Sequence, residues 1–258
     1  MKKLLEFFRQ SGKIRAFLIH LAISAALVSM LAAIVFFVWY PPPYFQFDGG
    51  WHILRLVVLV DVVLGPLLTL LVFRRGKKEL KRDLGVIASV QLVAFFYGAG
   101  LMLQYRPAFL VYFEKNFYSE PLPDIAPHTK DLARLEAMRS ARGPTTVAMV
   151  LPADPMERQG LRMSASSGGA RMTVLGDYYR PVAPELWPGI AKDALDLDAL
   201  IRAQPEVEED LDRFRARFLG NSPIGLEKLA FYPAVFRYGV VLFAFDRQTG
   251  EPVGWVSE

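Results

Sequence analysis

A chain of 258 residues that is 53% hydrophobic is rich in apolar residues for a soluble protein with 22% charged residues, and the apolar residues are not spread evenly. It has no cysteine, which excludes disulfides, cysteine-ligated metals and a thiol nucleophile. The net charge of +4 hides an asymmetry: from Tyr105 onward 18 Lys and Arg face 21 Asp and Glu, so the positive excess belongs to the first hundred residues and is no nucleic-acid footprint.

Residues 1–15 are a basic segment with Lys2, Lys3, Arg9, Lys13 and Arg15. Residues 16–40 then contain no charge and a single His. About 20 predominantly apolar residues suffice to cross a bilayer. A buried core helix would instead show a shorter run with a polar face. A cleaved signal would have an apolar stretch of only ~7–15 residues and a small-residue cleavage site. This run ends at Trp39-Tyr40-Pro41-Pro42-Pro43, so it reads as an uncleaved anchor. Ala22, Ala25, Ala26, Ser29 and Ala33 form a small-residue stripe on which another helix can pack closely.

The prolines predict an extended exit from this span. Trp39, Tyr40, Tyr44 and Trp51 suit an interfacial aromatic belt, and Tyr105 and Arg106 mark a second interface. The next apolar run, 53–73, carries Arg55 and Asp61. Arg55 lies near its end and can snorkel to the headgroups. Asp61 lies deep, where an ionisable group costs ~2.5–3.5 kcal/mol on insertion scales, so it should face protein. Asp61, Gly65 and Thr69 repeat at four-residue spacing and share one face, and Pro66 can kink the helix there. Gln91, Ser89 and Tyr97 on the third run, 84–105, or Ser24 and Ser29 on the first, are the expected partners of Asp61. Asp61 reads either as polar glue between the protein's own helices or as a contact or ion site.

Lys and Arg counts near the spans set orientation. The N-terminus is basic, the first loop has no Lys or Arg, and the second loop carries Arg74, Arg75, Lys77, Lys78, Lys81 and Arg82 as cytoplasmic anchors. The N-terminus is therefore expected in the cytoplasm and residues 106–258 outside, in the periplasm of a Gram-negative host. The expected fold is a three-span membrane domain, 16–105, followed by an extracytoplasmic α+β domain.

In that domain Phe109–Phe113 reads as a strand, Pro121–Pro127 as a turn region, and Thr129–Arg142 as a helix with Leu132, Leu135 and Met138 inward. Thr145–Leu151 is a strand, and Ala153–Ser164 a helix with Met156 and Leu161 inward. Ser164–Gly169 lacks the strand–helix setting of a phosphate loop. Lys192–Ala203 and Pro205–Leu219 are amphipathic helices. The acids Glu206, Glu208, Glu209, Asp210 and Asp212 precede Arg213, Arg215 and Arg217, which suits the helix dipole. Val235–Phe245 reads as the clearest strand, with Glu251–Val256 returning after the turn Asp246–Gly250. No metal-ligand spacing, nucleophile elbow or Ser/His/Asp constellation appears, so no catalysis, cofactor or metal is expected.

The motif Asp61-Val62-Val63-Leu64-Gly65-Pro66-Leu67-Leu68-Thr69, in a frame of Tyr40-Pro41, Gly49-Gly50-Trp51, Gly76-Lys77-Lys78, Asp83-Leu84, Gln91-Leu92, Tyr97-Gly98 and Tyr105-Arg106-Pro107, resembles the TfpX/TfpZ family of type IV pilin accessory proteins. The run Asp246–Gly254 resembles that family's closing hairpin. The resemblance implies a non-enzymatic inner-membrane chaperone or assembly modulator whose partner is a type IV pilin subunit, touched through its transmembrane helix, its globular head or both. A membrane-anchored periplasmic sensor and a membrane enzyme acting on pilin or glycan are the alternatives.

Overall fold

The apolar runs fold as helices, in which each interior backbone donor and acceptor is satisfied within its own segment. The computed structural model describes residues 2–74, 76, 78–220 and 225–256, with side chains from residue 12 onward. The chain divides into two units, Met1–Arg106 and Pro107–Glu258. Among the described residues three helical stretches are long and apolar enough to cross a membrane: Gly12–Trp39, Gly50–Val72 and Leu80–Gln104.

The first stretch is α1 (Lys2–Ile34), which passes into a π-helical turn, Val35–Trp39. The helix begins well before the apolar run, since Lys, Arg and Glu propagate a helix as readily as apolar residues do. Pro41–Pro43 form turns rather than the expected extended exit, and α2 (Tyr44–Phe47) follows. Gly49, at φ 93°, reverses the chain into α3 (Gly50–Val58). A second π-helical turn, Leu59–Leu64, leads into α4 (Gly65–Val72), and α5 (Leu80–Gln104) completes the unit.

The faces that meet are Ser24, Val28, Leu31 and Val35 of the first stretch, Leu54 and Val57 of the second, and Phe95 and Met102 of the third. The expected small-residue stripe does not pack here: Ala22, Ala26, Ser29 and Ala33 are exposed. The close approaches come instead from glycines on the other two helices. A Cβ on Gly98 would lie 2.8 Å from Val57 Cγ2. Tyr40, expected at an interface, is buried, and its hydroxyl donates to the Met102 carbonyl at 3.1 Å. Trp51 and Arg55 are exposed, and Trp39, Tyr105 and Arg106 are half-buried. Of the basic residues between the second and third stretches, Arg74, Lys78, Lys81 and Arg82 are exposed, and Arg82 pairs with Glu79 at 2.8 Å. Arg75 and Lys77 lie outside the described residues.

The second unit is built on a mixed seven-stranded sheet. Its strands are β1 (Pro107–Phe113), β2 (Asn116–Pro121), β3 (Thr145–Met149), β4 (Tyr179–Pro181), β5 (Leu229–Phe236), β6 (Gly239–Asp246) and β7 (Pro252–Val256), in the order β4-β3-β1-β2-β5-β6-β7. β1 pairs parallel with β3 and β2 parallel with β5; the other pairs are antiparallel. The helices α6 (Leu122–Ile125), α7 (Leu132–Met138), α8 (Pro155–Ser166), α9 (Trp187–Ala191), α10 (Leu197–Ala203) and α11 (Val207–Phe214, continued by a π-helical turn to Leu219) lie between strands in the chain. Asp131, Asp154 and Asp196 cap α7, α8 and α10 by accepting from backbone N–H groups of the first turn.

The period-2 alternation of the strands gives the sheet two apolar faces. On one, Phe109, Val111 and Val147 pack with Leu135 and Tyr179, and Leu229, Phe231 and Ala244 pack with Leu211 and Phe214. On the other, Phe117, Tyr232 and Phe245 form an aromatic cluster with Trp187, whose Nε1–H donates to the Arg247 carbonyl at 3.0 Å.

Several expectations change. Val235–Phe245 is not one strand but the end of β5 and most of β6, joined at Arg237-Tyr238. The helix expected over Thr129–Arg142 shrinks to Leu132–Met138, where Asp131 starts it and the Met138 carbonyl accepts from Thr145 Oγ1. Met156 is 82% exposed rather than inward, on a helix, α8, that has no buried residue.

Candidate functional site

The second helical stretch places the polar residues of the first unit through one local defect. In the π register the Gly65 N–H bonds to the Val60 carbonyl, and Pro66 has no N–H to offer. The Asp61 carbonyl therefore loses its usual helical donors. Gln91 of α5 fills that role: its Nε2 donates to the Asp61 carbonyl at 3.3 Å. This approach is possible only over a glycine, since a Cβ on Gly65 would lie 1.8 Å from Gln91 Nε2.

Asp61 is 5% exposed and Gln91 7%. Neither is fully satisfied: Asp61 Oδ2 and Gln91 Oε1 are buried without a hydrogen-bond partner. Both line a cleft of about 470 Å³ with His20, Ser24 and Thr69, walled by apolar side chains such as Leu27 and Phe95. His20 Nδ1 and Thr69 Oγ1 share a hydrogen bond of 2.6 Å across the cleft. The first and third stretches both pack on the second, and meet each other chiefly at the end where Val35–Trp39 reaches α5. Toward the other end they part. Ile19, Ile23 and Leu92, all exposed, rim the opening.

The structure thus brings together Asp61, Gly65, Pro66, Thr69 and Gln91, all buried. Tyr97 does not join them: it is 69% exposed on another face of α5. Ser29 and Ser89 are exposed too, while Ser24 lines the cleft. Sequence reasoning missed His20. The four-residue spacing of His20 and Ser24 within an otherwise apolar run was the available signal.

The second unit carries a shallower groove of about 670 Å³ bordered by Tyr118, Arg162, Met163, Arg171 and Thr173. Behind it Glu120, 1% exposed, accepts from Thr173 Oγ1 at 2.6 Å and from Arg171 at 3.1 Å. Burial pushes its carboxyl above the usual glutamate range, against the opposing pull of Thr173 and Arg171. Of the acidic run near Glu206, Asp210 pairs with Arg213, and Asp212 with Arg215 at 3.4 Å. No group of three or more His, Asp or Glu among the described residues is placed to hold a metal ion.

Fold and cleft define a class: a protein with three helices of membrane-crossing length and composition, a polar cleft among them, and a mixed-sheet domain after them. Comparison with known proteins narrows it. Residues 8–49 match the model of a family described as fimbrial assembly protein FimB. Fimbrial assembly proteins of Dichelobacter nodosus from serogroup I, serogroups C1 and C2, and serogroup E1 are each 38% identical over 96 residues, or 36% of this chain. The match covers 73% of the serogroup C1 and C2 protein but 37% of the serogroup I and E1 proteins, so it spans little more than a third of those two. No solved structure matches the chain. The chain belongs to the fimbrial assembly protein family.

Proposed function

We propose that the chain is a non-catalytic accessory protein of the TfpX/TfpZ type, which binds a type IV pilin subunit at the inner membrane before or during pilus assembly. Family membership supplies the process. The observation that carries the molecular reading is the cleft, open sideways between α1 and α5, with polar groups on its floor and apolar side chains at its rim. A pilin awaiting assembly is a membrane-anchored helix with a globular head. A helper that offers a lateral cleft to the helix and a separate folded unit to the head suits both parts. The charge pattern sets the orientation of this reading: basic N-terminus and second loop in the cytoplasm, second unit in the periplasm.

The test is genetic and biochemical together. Deleting the chain should lower surface piliation and twitching, and the tagged chain should co-purify the host's major pilin from detergent extracts. Unchanged pilin level, piliation and twitching in the deletion strain would sink the proposal.

A further inference from the structure

We infer that the cleft selects its partner by a hydrogen-bond donor: it seats a partner's transmembrane helix that carries a donor side chain, and Asp61 Oδ2 and Gln91 Oε1 are the acceptors that read it. This rests on the reading above, in which that helix belongs to a pilin subunit.

Both acceptors belong to side chains more than nine-tenths buried, and both lack a partner. Burying an unmet acceptor is costly, and here two such acceptors belong to residues that line the same cleft. The arrangement is also built. Pro66 and the π-helical turn free the Asp61 carbonyl, Gln91 is anchored there by its Nε2, and Gly65 leaves the room. The amide spends an N–H on that carbonyl, and its oxygen stays without a partner.

Size and access point to a helix. A helical turn with side chains is ~10–12 Å across and ~5.4 Å high, close to the 470 Å³ of the cleft. The opening lies sideways between two apolar helices, where another helix in the bilayer can enter. A lipid acyl chain fits the walls but brings no donor, so it leaves both acceptors unmet. A partner helix with a hydroxyl or ammonium at that depth satisfies them. A helix without a donor is disfavoured, which makes the pair a filter as well as a contact.

The cysteine-free chain allows a clean test. Ile23→Cys and Leu92→Cys place single thiols on the rim; Met30→Cys and Val93→Cys place them on exposed positions outside the cleft. Each full-length variant is co-expressed with the host's pilin carrying one cysteine scanned along its transmembrane helix, and membranes are oxidised. The rim thiols should crosslink to one turn of the pilin helix and the outside thiols should not. Adding Asp61→Leu or Gln91→Leu should cut the rim crosslink about tenfold per chain present in the membrane, the loss expected for one unmade buried hydrogen bond. Replacing the pilin's polar side chains in that turn by leucine should have the same effect. Pilin that co-purifies but crosslinks only to Met30→Cys or Val93→Cys overturns the inference and leaves the proposed function standing. A rim crosslink indifferent to Asp61→Leu and Gln91→Leu overturns the donor selection. Failure of pilin to co-purify at all defeats both.

Discussion

At the residue scale, Gly65 and Glu120 make opposite points about buried space. A methyl at Gly65 would overlap the Gln91 amide, and overpacking of this kind costs ~1–3 kcal/mol. Gly65→Ala is therefore expected to lower the melting temperature of the detergent-solubilised chain. Gly65→Ala with Gln91→Ala should recover part of the loss, since the clash then has no partner. Glu120 is a carboxyl whose folded-state pKa lies above its unfolded value of about 4.3. The folded state then holds its proton more firmly than the unfolded state. That contribution favours folding below the unfolded pKa and is lost as pH rises through the window above it. Glu120→Gln should flatten this fall, measured as denaturant midpoints from pH 4 to pH 7; an unchanged slope would remove Glu120 as its source.

Elements show where local chemistry decides. The β6–β7 turn is held by Asp246 Oδ1, which accepts from the N–H groups of Gln248 and Thr249 at 2.8 Å each. These bonds hold the Asp246 carboxyl below its usual range. Gly250 is at φ 76°, and a Cβ on it would lie 2.7 Å from Cδ2 of the Trp187 ring. Gly250→Ala is strained by its backbone and by its neighbour, so it should destabilise the unit by about 1–3 kcal/mol, read from the denaturant midpoint. At the other side of the sheet Leu211 of α11 is buried against β5 and β6, and Leu211→Ala should cost ~2–5 kcal/mol in the same measurement. The Asp246–Gly250 turn was legible because Asp and Gly announce it. The β1–β2 turn was not. It is made by Glu114 and Lys115, at φ 47° and 66°, residues that seldom adopt that conformation. Without a turn signal β2 went unread. The join at Arg237-Tyr238 likewise split an apolar run that looked continuous.

At the scale of the molecule, each unit closes its own core, the first through interlocking helices and the second through both faces of its sheet. Residues 107–258 expressed alone are thus expected to give a cooperative thermal transition with native-like near-ultraviolet dichroism; a broad, non-cooperative melt would contradict this. The apolar helices needed only the sequence, because a run of about 20 predominantly apolar residues has few other fates. The placing of Asp61, Gly65 and Thr69 on one helix face followed from their spacing alone. What spacing cannot say is which neighbour that face meets. His20 joins Thr69 across 49 residues, Gln91 reaches the Asp61 carbonyl across 30, and Tyr97, with equal claim on paper, points away. Likewise the alternating strands were local, but the order β4-β3-β1-β2-β5-β6-β7 depends on pairings between distant segments. Periodicity and apolar length are properties of a segment and can be read from it. Contacts across helices, strand order and the two unmet acceptors of the cleft are properties of how segments meet, and only the tertiary structure decides them.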